Sequence, residues 1–129
     1  MKRIALLFIA LMMGISGIYA QQKNMPQIEF EQTVYNYDTV YQGANGECSF
    51  IFKNIGDAPL IISSTSASCG CTTPSFNAKP VMPGNKGKIT VKYNTSLVGA
   101  FRKTIVVKSN AVNQETSILT IKGYVKKKE

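Results

Sequence analysis

The chain contains no histidine and no tryptophan, and only seven Asp and Glu among its 129 residues. Each shortage removes a class of chemistry. Without histidine, no serine or cysteine can form a nucleophile–imidazole pair, and a zinc site loses its usual nitrogen ligand. The carboxylates, Glu29, Glu31, Asp38, Glu47, Asp57, Glu115 and Glu129, are scattered along the sequence. Glu29 and Glu31 share the solvent side of one extended segment and do not form an acid–base couple. Gly84-Asn85-Lys86-Gly87 reads as a turn leading into a strand, not as a phosphate-cradling loop. No segment keeps a helical period. The expectation is a non-catalytic protein without a cofactor.

What is there first reads as a leader. Lys2 and Arg3 precede an apolar stretch that begins at Ile4 and fades through Gly14, Ser16 and Gly17, with Ala20 as the cleavage-site residue. Residues 1–20 therefore read as a signal peptide. The apolar run is short of the roughly 20 residues a bilayer span needs and carries two glycines. No integral membrane segment is expected once it is removed, and residues 21–129 have the length of one domain. The remaining chain is basic, with lysines mostly single on strand faces and one run at Lys126-Lys127-Lys128. A nucleic-acid partner would want a basic stripe with interleaved aromatics in an intracellular protein. Export argues against it and leaves weak affinity for anionic surfaces such as polysaccharide or lipid headgroups.

Beyond residue 27 the pattern is alternation. Ile28 and Phe30, Cys48 with Phe50 and Phe52, Ile89 with Val91 and Tyr93, Ile105 with Val107, and Leu119 with Ile121 each share one face. Period two with β-branched and aromatic enrichment means half-buried strands. Turn clusters at 42–46, 54–57, 79–85 and 109–110 punctuate them, and Pro83-Gly84 suits a type II turn. Strands are expected near 27–31, 33–41, 46–53, 58–66, 86–93, 102–109 and 116–125, as an all-β sandwich of about seven antiparallel strands. The core list is Phe50, Phe52, Leu60, Ile62, Ile89, Val91, Ile105, Val107, Leu119 and Ile121. Segment 67–80 is left irregular. Tyr35, Tyr37 and Tyr41 share a parity and are expected on one face, as a packing stripe, an interface or a glycan-stacking platform.

The longest irregular stretch carries Cys69-Gly70-Cys71-Thr72. Exported thiols meet an oxidising compartment, so the pair is expected to be oxidised. Three pairings are open: 48–69, 48–71 and 69–71. A hairpin between 48–53 and 60–65 would keep Cys48 out of reach of Cys69; placement in different sheets would remove that objection. Cys48 shares its parity with Phe50 and reads as a small buried residue. Three accounts stand for Cys69 and Cys71: a structural disulfide, a redox pair with Lys79 as the nearby cation, or soft ligands for Cu(I) with Met82 as a third. Asn94-Thr95-Ser96 fits an N-glycosylation acceptor. Asp38-Thr39-Val40 resembles the Asp-Ser/Thr-apolar acceptor of O-glycosylation in some Gram-negative anaerobes, which makes Thr39 a candidate.

The order Gly46-Glu47, Phe50-x-Phe52-Lys53-Asn54-x-Gly56-Asp57-x-Pro59-Leu60-x-Ile62, Ser68-Cys69-Gly70-Cys71-Thr72, Pro83-Gly84, Ile89-x-Val91-x-Tyr93, Gly99-x-Phe101-x-Lys103-Thr104-Ile105-x-Val107, Ser109-Asn110 and Leu119-x-Ile121-Lys122-Gly123 resembles the bacterial family of domain of unknown function 1573. The resemblance implies a small exported Ig-like domain of Gram-negative bacteria, PapD-like or motile-sperm-protein-like, with Cys-Gly-Cys-Thr as signature. Two departures stand out: Tyr35 to Val40 replaces a Phe-Gly pair, and Cys48 is an addition. The implied setting is the periplasm or cell exterior, as a structural or interaction module whose partner is an envelope protein or polysaccharide. The alternative is a small thiol protein binding Cu(I) or exchanging disulfides through Cys69 and Cys71.

Overall fold

The structure, a computed structural model, describes residues 25–129, so the leader reading lies outside the described residues. Eight strands follow in order: β1 (Ile28–Phe30), β2 (Val34–Tyr41), β3 (Glu47–Asn54), β4 (Ile62–Ala67), β5 (Thr72–Phe76), β6 (Lys86–Tyr93), β7 (Gly99–Ser109) and β8 (Thr116–Lys126). They form two four-stranded sheets, ordered β1-β3-β6-β5 and β2-β8-β7-β4.

Period-two alternation builds the core between them. All ten residues expected inside are buried, none more than 3% exposed. Ile28, Tyr93, Phe101 and Val125 complete the layer. Phe52 lies over Gly87, where an added Cβ would meet the ring at 2.5 Å, so that position accepts no side chain without moving the core. The turn expected at Pro83-Gly84 is present: Gly84 has φ 83°, and Asn85 N–H donates to Met82 C=O at 3.0 Å.

Two details of the expected sandwich change. An eighth strand, β5, lies inside the segment read as irregular. Its Thr72-Thr73-Pro74-Ser75-Phe76 sequence hides the alternation, and proline is tolerated because β5 is an edge strand with one unpaired side. The sandwich is also not wholly antiparallel, since β2 runs parallel to β8. Within the expected strand 58–66, Leu60 makes an isolated bridge to Val81, and β4 begins only at Ile62.

The tyrosine stripe also needs correcting. The β2–β8 register slips between Asn36 and Thr39, and Asp38 adopts φ 57°. One extra residue in a bulge reverses the facing of everything after it. Tyr35 and Tyr37 pack against the core, with ring centroids 4.8 Å apart, whereas Tyr41 is 60% exposed. Asp38 occupies the left-handed region; aspartate is among the few residues other than glycine that accept it, and Asn36 Oδ1 accepts the Asp38 N–H at 2.9 Å.

Candidate functional site

Cys69 and Cys71 sit at the corner where the chain leaves one sheet for the other. β4 is an edge of its sheet, β5 an edge of the opposite sheet, and only Ser68–Cys71 separate them. On the β4 side, Ser68 N–H donates to Thr104 C=O (3.0 Å) and Ser68 Oγ accepts the Thr104 N–H (3.2 Å). On the β5 side, Asn94 N–H donates to Cys71 C=O (2.9 Å). Between these anchors the two sulfur atoms are bonded, with the Cα atoms 5.3 Å apart. The Cys71 N–H also points to Cys69 Sγ at 3.1 Å. Gly70, exposed between them, meets no neighbouring atom.

Cys48 takes no part. β3 and β4 belong to different sheets, so the hairpin considered from the sequence does not form. Cys48 faces Val91 on β6, while Cys71 stands beside Asn94 beyond the end of that strand and one strand further across. Two strand spacings and three residues of rise put their Cα atoms roughly 14 Å apart, beyond disulfide reach. The Cys48 thiol is free and buried, and burial pushes its pKa up. That makes it a neutral, poorly nucleophilic thiol. Tyr37 beside it is likewise pushed up, first by burial and then by the neighbouring Cys48 thiol; its hydroxyl donates to Gly46 C=O at 2.6 Å. Tyr93, also raised by burial, stacks on Phe101 at 3.9 Å between centroids.

The residues suggested as helpers to the cysteine pair lie elsewhere. Lys79 and Met82 line a cleft of about 730 Å³ with Phe52, Phe76, Val81 and Lys86. That cleft is at the Lys86 end of β6 and the cysteine corner is at the Tyr93 end, so the strand's length, roughly 25 Å, separates them. Neither residue can serve the pair. Among the described residues no group of three His, Cys, Asp or Glu is placed to hold a metal ion. The cation nearest by register is Lys103, because Ser68 pairs with Thr104 and the next positions are Cys69 and Lys103. Only the β4–β7 register reveals that neighbour; it is 34 positions away in sequence.

The two modification motifs differ in accessibility. Thr95 is buried with its hydroxyl donating to Ala44 C=O, and the Asn94 amide oxygen accepts from both Ser96 N–H and Ser96 Oγ–H. Thr39 is exposed just past the β2 bulge, opposite Tyr124.

The strongest polar centre was read from the sequence only as part of a turn cluster. Asn54 is fully buried at the end of β3. Its amide donates to Ala58 C=O (2.7 Å) and Val81 C=O (2.9 Å), and its Oδ1 accepts from Gly56 N–H (2.9 Å) and Gln27 N–H (3.4 Å). It joins the approach to β1, the β3–β4 loop and the segment before β6. An Asn before a turn gave one signal for it; the long-range partners gave none.

The model of a family described as "Protein of unknown function (DUF1573)" matches residues 28–125, and the chain belongs to that family. No curated protein matches the sequence. Among solved structures, a protein of unknown function from Porphyromonas gingivalis superposes with a TM-score of 0.71 at 13% identity, covering 84% of this chain and 51% of that one. This chain thus spans about half of that protein. The ASH/PapD-like domain 7 of human CEP192 gives a TM-score of 0.66 at 12% identity, covering 91% of this chain and 99% of that domain. The periplasmic chaperone SfaE gives 0.53 at 9% identity, covering 79% and 58%. The fold is PapD-like and Ig-like.

Proposed function

Proceeding from that family membership, we propose that the chain is an exported, non-catalytic interaction and structural module of the bacterial cell envelope. The observation that carries this reading is the position of the cysteine pair. It lies in the four-residue crossing from β4 to β5, one of the two corners where opposite sheet edges are joined, so its bond stiffens that crossing. Such a staple suits an oxidising compartment, in keeping with the leader read over residues 1–20. The two outer sheet faces are then held in fixed relation for partners, an envelope protein or polysaccharide.

The test is the double variant Cys69→Ser/Cys71→Ser. A lowered Tm with unchanged Cu(I) uptake supports the scaffold reading. Unchanged Tm with lost Cu(I) uptake or lost disulfide exchange would instead make this a thiol protein acting through Cys69 and Cys71. Thiol alkylation followed by mass analysis adds a direct check, since two freely alkylated cysteines in the native protein contradict the staple.

A further inference from the structure

The outer face of the β2-β8-β7-β4 sheet carries charge and aromatic rings in alternate rows. One row across β2, β8 and β7 is Asn36, Lys122 and Arg102. The next is Thr39, Tyr124 and Ala100, and the third is Tyr41 beside Lys126. The facing is set by the buried residues between them. Ile121 and Val125 point into the core, so Lys122, Tyr124 and Lys126 point out. The bulge at Asp38 turns Tyr41 to the same side.

Three features of this face point to a ligand. Arg102 and Lys122 stand directly opposite each other, a like-charge pair that destabilises a sheet when nothing neutralises it. Asp38 is the only carboxylate on the four strands of this sheet, whereas Arg102, Lys108, Lys122 and Lys126 all stand on its outer side. Tyr41 and Tyr124 are 60% and 47% exposed on neighbouring strands, roughly 8 Å apart between Cα atoms. Tyr41 also forms one wall of a hollow of about 390 Å³ whose other lining is Lys126, Lys127, Lys128 and Glu129. Exposed tyrosines offer a flat apolar ring with a polar tip, and the cations beside them supply hydrogen-bonding charge for carboxylates.

We propose that this face binds an acidic polysaccharide, with sugar rings stacked on Tyr41 and Tyr124 and uronate carboxylates held by Arg102, Lys122 and the Lys126–Lys128 run. This rests on the interaction-module reading and names its partner class. The experiment titrates the purified protein with oligogalacturonate, using dextran as the neutral control and duplex DNA as the polyanion control. Saturable, salt-sensitive binding of oligogalacturonate is expected, with dextran and DNA at least tenfold weaker. Arg102→Gln/Lys122→Gln and, separately, Tyr41→Ala/Tyr124→Ala should each weaken it tenfold or more. Lys88→Gln/Lys92→Gln, on the outer face of the other sheet, should leave it within twofold. All these side chains lie on the surface, and an unchanged Tm confirms that each variant folds. No binding, equal loss in the Lys88/Lys92 variant, or DNA bound as tightly would overturn the glycan site. The scaffold reading would then still stand or fall on the cysteine variant above.

Discussion

The chain passes from edge strand to edge strand at two corners, and the two are secured by different means. Between β1 and β2 it crosses in Glu31–Thr33, and ladder bonds continue almost unbroken: Glu31 N–H donates to Ile51 C=O, and Thr33 C=O accepts from Thr120 N–H. The first strand is short, and Asn113 extends its pairing with both halves of its side-chain amide, accepting from Ile28 N–H (3.0 Å) and donating to Ile28 C=O (2.9 Å). Between β4 and β5 the crossing takes Ser68–Cys71 and has the covalent bond instead. The first corner hangs on polar groups contributed from distant loops. The second is closed by residues two apart. A sandwich edge can therefore be made safe either by long-range hydrogen bonds or by a local staple, and the two should respond differently to perturbation.

The largest effect should come from Asn54→Ala. Removing that amide takes the side-chain partner from Gln27 N–H, Gly56 N–H and Ala58 C=O, while Val81 C=O keeps the Leu60 N–H, and leaves a cavity at a fully buried position; it should cost about 3 kcal/mol in a denaturant titration. A loss below 1 kcal/mol would mean that the first corner does not depend on this centre. Next comes Cys69→Ser/Cys71→Ser. A bond closing so small a loop removes little unfolded-state entropy, about 1.5 kcal/mol, and adding reductant to the unaltered protein should reproduce the variant's stability. Asn113→Ala should cost about 1 kcal/mol, because its two bonds are partly open to water. Hydrogen exchange at Ile28 should rise with it while Thr72 stays protected; the reverse pattern would erase the distinction between the corners. The smallest effect belongs to Glu31→Gln. Its ion pair with Lys86, 2.9 Å long, is exposed on both sides and should contribute less than about 0.5 kcal/mol, vanishing in high salt.

The same contrast explains which parts could be read in advance. The ten core residues were legible because alternation is a local property: each strand declares its buried face without knowledge of its neighbours. Cys48 was legible for the same reason. The Pro83-Gly84 turn was legible because its backbone angles are demanded by those two residues. β5 was hidden because Thr72-Thr73-Pro74-Ser75 carries no apolar alternation, and what makes it a strand is β6 beside it. Tyr41 was placed on the wrong side because a parity argument cannot cross a bulge, and the only local sign was the Asn36-Tyr37-Asp38 sequence. The association of Cys71 with Lys79 and Met82 failed because nearness along the chain was taken for nearness in space.

Alternating side chains, turn residues and the Cys-Gly-Cys spacing were enough to specify a two-sheet β protein and to mark its one cysteine pair, since each depends on bonds and angles within a few residues. Which sheets the strands join, that the pair lies at the corner between them, and that Tyr41, Tyr124, Lys122 and Arg102 share one outer face were decided only by strand register. Register is a property of paired chains, set by how the whole core closes, and no single segment contains it.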